Sequence, residues 1–294
     1  MRLLSFSDGA GDQLGVEAGP DRLWSSRALG RRLAGSMSEL LAGGPSALTA
    51  LRSAARAAAA AGRAGDIDPG RRIAPVPRPG KIMAIGLNYR DHVEEQGEKV
   101  RLPGHPVLFA KFPSAVIGDG AAVEWDPRLT EAVDLEAELA VVIGRSARRV
   151  SEAEALGHVL GYTCLNDVTA RDLQYSDRQF VRGKSLDTFC PMGPVLVTAD
   201  EIADPGALAV RSWRNDELMQ DSDTANLVFS VPFLVSFCSQ AFTLEPGDVI
   251  STGTPAGVGF FREPKMLMHD GDVMTVEIEG IGRLRNPCRE LRSV

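Results

Sequence analysis

No Cys-x-x-Cys spacing, no membrane-length apolar run and no basic stripe occur in this 294-residue sequence. The four cysteines, Cys164, Cys190, Cys238 and Cys288, are dispersed, so they read as free thiols rather than zinc ligands or disulfides. The opening Met1-Arg2-Leu3-Leu4-Ser5-Phe6 lacks an apolar core of signal-peptide length. Nor does any segment approach the roughly 20 apolar residues that span a bilayer, so a cytoplasmic protein without a membrane partner is expected. The net charge of -7, with no clustered Lys/Arg stripe interleaved with aromatics, argues against nucleic acid as a partner. Internal repeats are missing too, and the one biased tract is an alanine-rich stretch. Small-molecule chemistry is what these absences leave.

What is present is a chain with 44% hydrophobic residues, enough to bury a sizeable core. Residues 1–72 begin with short strand-like pieces and continue into a predicted helix from Met37 to Ala61, strongest in the run Ala54 to Ala61. Three prolines in five positions, Pro75, Pro77 and Pro79, make 73–80 an extended linker between a small N-terminal α+β domain and a larger one over 81–294. Beyond it, short Val/Ile/Leu runs alternate with Gly, Pro and Asp, at Lys81 to Gly86, Ala121 to Trp125, Leu135 to Gly144, Val195 to Thr198, Val249 to Thr252 and Val273 to Ile278. Helices are predicted at Ser151 to Leu160, Val168 to Gln174 and Val231 to Gln240. The fold class expected is mixed, β-rich α+β.

Acidic residues carry the strongest chemical signal. In Val133-Asp134-Leu135-Glu136-Ala137-Glu138-Leu139-Ala140-Val141 strand alternation puts Asp134, Glu136 and Glu138 on one face and the apolar residues on the other. Crowded acids on a strand entering the core must be protonated, paired or bound to a cation. With Asp167, Glu136 and Glu138 form an all-oxygen set suited to magnesium, manganese or calcium. On the pair of glutamates alone, a solvated strand face is the more ordinary explanation. Asp167, Arg171 and Gln174, spaced by four and three, would share one helical stripe, with Arg171 able to grip a substrate carboxylate. A plain surface salt bridge between Asp167 and Arg171 is the competing reading. Lys184, in a glycine-containing turn, could neutralise an enolate or simply be solvated. His92 and Glu95, three apart, would let a carboxylate orient an imidazole as general base, unless they are a chance loop pair. The glycine-rich turn Ile250 to Gly259, with Gly253 and Thr254, can bring backbone N–H groups to an anion, or merely link strands. It lacks the Gly-Lys-Ser/Thr ending of a phosphate loop.

Taken in order from Lys81 to Pro287, these segments resemble the fumarylacetoacetate hydrolase family, in particular its bacterial acylpyruvate-hydrolase and 2-hydroxyhepta-2,4-diene-1,7-dioate-isomerase types. The matching pieces are Gly86-Leu87-Asn88-Tyr89 with His92 and Glu95, Pro106 to Gly118 with Lys111 and Ser114, the Glu136/Glu138 strand, Asn166 to Gln174, Gly183-Lys184 with Asp187 to Pro191, Gly193-Pro194, and Ser251 to Gly259. The resemblance implies a β-roll or barrel-like catalytic domain behind the small N-terminal one, assembled as a homodimer. It implies Glu136, Glu138 and Asp167 as ligands of magnesium or manganese that chelates a 2-oxo or dioxo acid substrate. By the same resemblance Lys184 stabilises the enolate, Arg171, Gln174, Gly253 and Thr254 bind substrate, and His92 with Glu95 activates water on a lid. Asp134 falls outside the implied ligands, either beside them or in solvent. C–C bond hydrolysis of acylpyruvates ranks first among the reactions implied. Isomerisation, tautomerisation or oxaloacetate decarboxylation at the same site comes second, and a catalytically silent metal-binding member third.

Overall fold

The computed structural model describes residues 1–7, 9, 11–19, 22–65, 71–97 and 100–291. Residues 66–70 of the expected N-terminal stretch and 292–294 of the larger one lie outside them. The chain opens with strands β1 (Arg2–Ser7), β2 (Asp12–Gly19) and β3 (Arg22–Ser25), helices α1 (Ser26–Leu29) and α2 (Met37–Ala60), and strand β4 (Arg71–Ile73). Next come β5 (Ile82–Gly86), α3 (Arg90–Glu95), β6 (Val107–Lys111), β7 (Val116–Ile117), β8 (Val123–Trp125), β9 (Val133–Asp134) and β10 (Ala137–Ile143). Then follow α4 (Glu152–Ala155), β11 (Val159–Asn166), β12 (Thr169–Ala170), α5 (Arg171–Ser176), α6 (Val181–Lys184) and β13 (Cys190–Thr198). The last elements are β14 (Ala209–Arg214), β15 (Glu217–Asp223), α7 (Val231–Ala241), β16 (Val249–Ser251), β17 (Val273–Ile278) and β18 (Gly282–Glu290).

Among the described residues, eleven strands form one sheet in the order β3-β2-β1-β13-β11-β10-β16-β5-β6, with β4 paired to β1 and β7 to β13. A five-stranded sheet, β15-β14-β17-β18-β8, lies against it, and β9 pairs with β12 separately. The mixed, strand-rich α+β class read from the sequence is the one found. Strand β10 is buried from end to end because both of its faces are covered. Leu139, Val141 and Ile143 pack with Val210, Val276 and Ile278 of the smaller sheet, whereas Ala140 and Val142 pack with Leu40, Leu51 and Ala55 of α2. That double burial is why its sequence is apolar almost throughout. The N-terminal strands continue the same sheet, Arg2 and Leu3 of β1 pairing with Val197 and Leu196 of β13.

Local chemistry sets the helix ends. Ser36 caps α2 by accepting the Glu39 N–H, and the helix bends where Gly44 (φ 58°) precedes Pro45, whose ring and missing N–H break the ladder. The helix expected over Ser151 to Leu160 is shorter. Ser151 and Glu154 form a capping box, a 3-10 turn occupies Leu156–His158, and Val159 already begins β11. The expected helix at Val168 starts only at Arg171, because Thr169 and Ala170 pair with Asp134 and Val133. No helix of the described residues is long and apolar enough to cross a membrane.

Candidate active site

The acidic strand is two strands. Between β9 and β10, Leu135 and Glu136 leave the ladder. The Glu136 N–H donates to Asn166 Oδ1 (3.0 Å), the Asp167 N–H donates to the Glu136 carbonyl (2.9 Å), and the Ala137 N–H donates to Gln220 Oε1 (2.9 Å). This exchange draws the end of β11 against the start of β10. One carboxylate oxygen from each of Glu136, Glu138 and Asp167 lies within 4.8 Å of the others, with all three residues buried. A solvated strand face is thereby excluded.

Three cations pair with this triad: Lys111 from behind, on Asp167 Oδ1 (2.5 Å), and Lys184 and Arg171 from the cavity side. Lys184 Nζ, carried at the end of α6, donates to Glu136 Oε2 (2.9 Å), Asp167 Oδ2 (2.7 Å) and Thr169 Oγ1 (2.8 Å). Arg171, the first residue of α5, reaches Glu136 Oε1 through Nη1 (2.6 Å) and Gln174 Oε1 through the same nitrogen (3.1 Å). Its Nε and Nη2 both donate to Asp134 Oδ2, at 3.0 and 2.8 Å. The anticipated stripe is thus incomplete: Arg171 and Gln174 share a helical turn, but Asp167 lies ahead of β12, off the helix. The competing surface pair between Asp167 and Arg171 does not form, since each is buried with other partners. Asp134 is fully buried rather than solvated, and it also accepts the Gly259 and Phe260 N–H groups at 3.0 Å each. It therefore fixes Arg171 and the 257–261 loop to one carboxylate.

The balance of these charges is uneven. Burial would raise the Glu136 carboxyl, but Lys184 and Arg171 outweigh it and hold the group down at about 2. Burial pushes Glu138 up to about 8, helped by Asp167 and Glu136. The bond from Ser251 Oγ (2.5 Å) and the Lys184 charge offset only part of that, and the Gly253 N–H donates to the same oxygen (2.9 Å). Burial alone would lower Lys184, yet Asp167 and Glu136 raise it overall, so it is an ammonium donor at neutral pH. Among the described residues Glu138 has no cationic partner within ion-pair distance. An all-oxygen donor set with one carboxylate left uncompensated fits a hard divalent ion.

Above the triad lies α3. His92 Nδ1 is 2.5 Å from Glu95 Oε1, and Glu95 Oε2 accepts the Gly257 N–H at 2.8 Å. A carboxylate only accepts, so the ring's Nδ1–H donates, and in the neutral imidazole the lone pair is then on Nε2. Phe261 meets the His92 ring edge to face at a centroid distance of 6.1 Å. Leu87, in the left-handed region at φ 55°, turns the chain from β5 towards this helix. Gly253 serves Glu138 through a φ of 100°, and a Cβ there would lie 2.8 Å from Asn88 Cβ and 2.9 Å from the Ile85 carbonyl. Only glycine fits that approach.

These groups enclose a cavity of about 110 Å³. Glu136, Glu138, Asp167, Arg171, Gln174, Lys184, His92 and Thr254 line it, with Phe109, Tyr175, Phe180 and Phe261 as the apolar wall. Glu95 and Gly253 stand one layer behind, supporting His92 and Glu138. The Thr254 hydroxyl is engaged with protein, donating to the Ala137 carbonyl (3.0 Å) and accepting from Gln220 Nε2 (2.7 Å). Gln220, fully buried on β15, escaped sequence reasoning: a lone glutamine in a strand of the second sheet gives no sign that it braces β10 against the 254–255 turn. Asp134 had a signal in its shared alternation with the glutamates, but the partner that defines it is distant in sequence.

Residues 81–289 match the family model described as fumarylacetoacetate (FAA) hydrolase C-terminal. Oxaloacetate tautomerase YisK of Bacillus subtilis (strain 168) is 48% identical over 214 residues, 72% of this chain and 71% of that protein. The mitochondrial oxaloacetate tautomerase fahd2 of Xenopus laevis is 45% identical over 217 residues, 73% of this chain and 67% of its own. Among solved structures, a putative HpcE protein from Mycobacterium smegmatis superposes with TM-score 0.87 at 34% identity, covering 99% of this chain and 100% of that one. Maleylpyruvate hydrolase from Sphingobium sp. SYK-6, in complex with manganese (II) ion and pyruvate, gives 0.78 at 32% identity, with 99% and 100% covered. On this sequence match, and on a site that gathers the residues which first suggested it, the chain belongs to the fumarylacetoacetate hydrolase family.

Proposed function

We propose that this protein is a divalent-cation-dependent enzyme interconverting the keto and enol forms of oxaloacetate or a 2-oxo acid of similar size. The size and lining of the cavity carry the reading. About 110 Å³ is well below the roughly 300–1,000 Å³ of sites for drug-sized ligands, and its polar wall combines three carboxylates, two cations and a histidine. A compact acid fits such a space better than a long dienoate does. The names of the Bacillus and Xenopus relatives support the same substrate. The order of the two leading reactions is thus reversed from the sequence expectation, with tautomerisation ahead of C–C hydrolysis.

Glu136, Glu138 and Asp167 would hold Mg²⁺ or Mn²⁺, with Ca²⁺ also compatible with their oxygens. The chemistry such an ion supplies when bound is Lewis-acid polarisation of the substrate's carbonyl oxygens. The remaining work falls to the chain. His92 Nε2, in a ring oriented by the Glu95 bond at Nδ1, takes a proton from the carbon next to the carbonyl. The Lys184 ammonium, on releasing one of its three bonds to Glu136, Asp167 and Thr169, donates a hydrogen bond to the oxygen where charge develops. The proton returns to that oxygen, so mass is conserved and no bond between carbons breaks. Arg171 keeps Glu136 ionised, and its Gln174 neighbour presents an amide to the acid. Phe109, Phe180 and Phe261 keep water out, strengthening each of these contacts.

The test follows oxaloacetate by the ultraviolet absorbance of its enol and by NMR, with Mg²⁺ or Mn²⁺ present. Accelerated equilibration with no CO₂ and no acid fragment is expected. CO₂ release would move the reading to decarboxylation. Acylpyruvate cleavage without faster tautomerisation would favour hydrolysis, the second reading, to which the maleylpyruvate hydrolase likeness lends support. Light scattering measures the homodimer that the family reading carries with it.

A further inference from the structure

Lys111 is the last residue of β6, and its ammonium is completely buried. A lysine is almost never buried like this unless its charge and its protons are all engaged. Here three N–H groups meet three acceptors: Asp167 Oδ1 at 2.5 Å, the Val168 carbonyl at 3.3 Å and the Lys184 carbonyl. These belong to the two segments that deliver Asp167 and Lys184 to the cavity. Lys111 itself does not line the cavity.

The other oxygen, Asp167 Oδ2, lies on the Glu136 side, since Lys184 Nζ spans it and Glu136 Oε2. With Oδ1 tied down by Lys111, the carboxylate is not free to turn, and Asp167 offers a single oxygen to the triad. The bond to the Lys184 carbonyl fixes the end of α6 at the same time, aiming the Lys184 side chain at the same point. We propose that Lys111 is a positioning residue, setting the one-oxygen presentation of Asp167 and the direction of Lys184. This rests on the reading that Glu136, Glu138 and Asp167 hold a divalent ion. Partners of this kind, one bond removed from an ion, typically change its affinity about 10–100-fold when lost.

Lys111→Met keeps the length of the stem and removes the charge. The experiment titrates Mn²⁺ alone into wild-type protein, Lys111→Met, Asp167→Asn and the double variant, reading the dissociation constant by calorimetry and the bound-ion spectrum by electron paramagnetic resonance. Lys111→Met should bind Mn²⁺ about 10–100-fold more weakly, with an altered spectrum. The double variant should bind no more weakly than Asp167→Asn, because Lys111 acts through Asp167. A folded Lys111→Met with wild-type affinity and spectrum would overturn the inference and leave the cation reading intact, as a purely structural lysine would change thermal stability only. Wild-type protein that binds no Mn²⁺ would overturn both. If Lys111→Met does not fold, Lys111→Arg, which keeps the charge but cannot reproduce the three ammonium bonds, decides: Mn²⁺ affinity at least tenfold weaker supports the inference, and wild-type affinity with the wild-type spectrum refutes it.

Discussion

The floor of the cavity and its cover are built on opposite terms. The floor rests on strands inside the core, and its residues are cross-braced by buried ion pairs: Lys111 and Lys184 on Asp167, Lys184 and Arg171 on Glu136, Arg171 on Asp134. The cover is a six-residue helix, α3, held to the neighbouring loop largely by side-chain acceptors on backbone N–H groups, Asp91 on Ala256 (3.4 Å) and Glu95 on Gly257 (2.8 Å). Charge removed from the floor leaves a buried partner alone. A group removed from the cover leaves little behind. Under the proposed function, ion binding falls to the floor and proton transfer to the cover.

The largest effect that sharpens this contrast is expected from Asp167→Ala. It strands the buried Lys111 ammonium and takes one of two carboxylates from Lys184, which costs on the order of 3–5 kcal/mol and on the order of 10 °C in Tm. Calorimetry checks it, and a variant melting like wild type would deny the floor its bracing role. His92→Ala comes next. Turnover should fall about 10²–10⁴-fold while Mn²⁺ affinity and Tm stay near wild type. A loss of Mn²⁺ affinity comparable to that of a floor variant would erase the division.

A smaller, graded effect concerns pH. With Glu138 raised to about 8 in the ion-free fold, the anion that a cation needs is disfavoured below that value. The sign is thus fixed: as pH rises from 6 to 8, less free energy goes into displacing the proton. Mg²⁺ or Mn²⁺ should then raise Tm more at pH 8 than at pH 6, with about one proton released per ion bound at pH 6 and about half of one at pH 8, as thermal-shift and buffer-dependent calorimetry would read. The smallest effect lies far from both regions. Ser36→Ala removes the cap of α2 and should cost about 1 kcal/mol with turnover unchanged.

Glu136 with Glu138 and the His92–Glu95 pair were legible because each sits on a short repeat, alternate residues of an extended segment or three residues of a helix, whereas Asp167 joins them from a separate segment at the end of β11. Their setting was not. Asp134, Lys111 and Gln220 acquire meaning from partners 37, 56 and 83 residues away, at Arg171, Asp167 and Ala137, which no local pattern encodes. The break at Leu135 and Glu136 was hidden for the same reason, since alternation continues across it while the hydrogen bonds change partner. Helix and strand were confused near Val159, where a run of apolar residues suits either period.

Strand β10 carries Glu138 on the same side as Ala140 and Val142, which rest on α2. The family match begins at residue 81, so α2 lies in sequence that the model leaves aside. A carboxylate of the triad is thus two residues from a seam with that segment. Substitutions at Leu40 or Leu51 would therefore change the packing beneath β10 while every lining residue stays the same. Grafting this catalytic body onto a different N-terminal segment is consequently a change of enzyme as much as a change of scaffold.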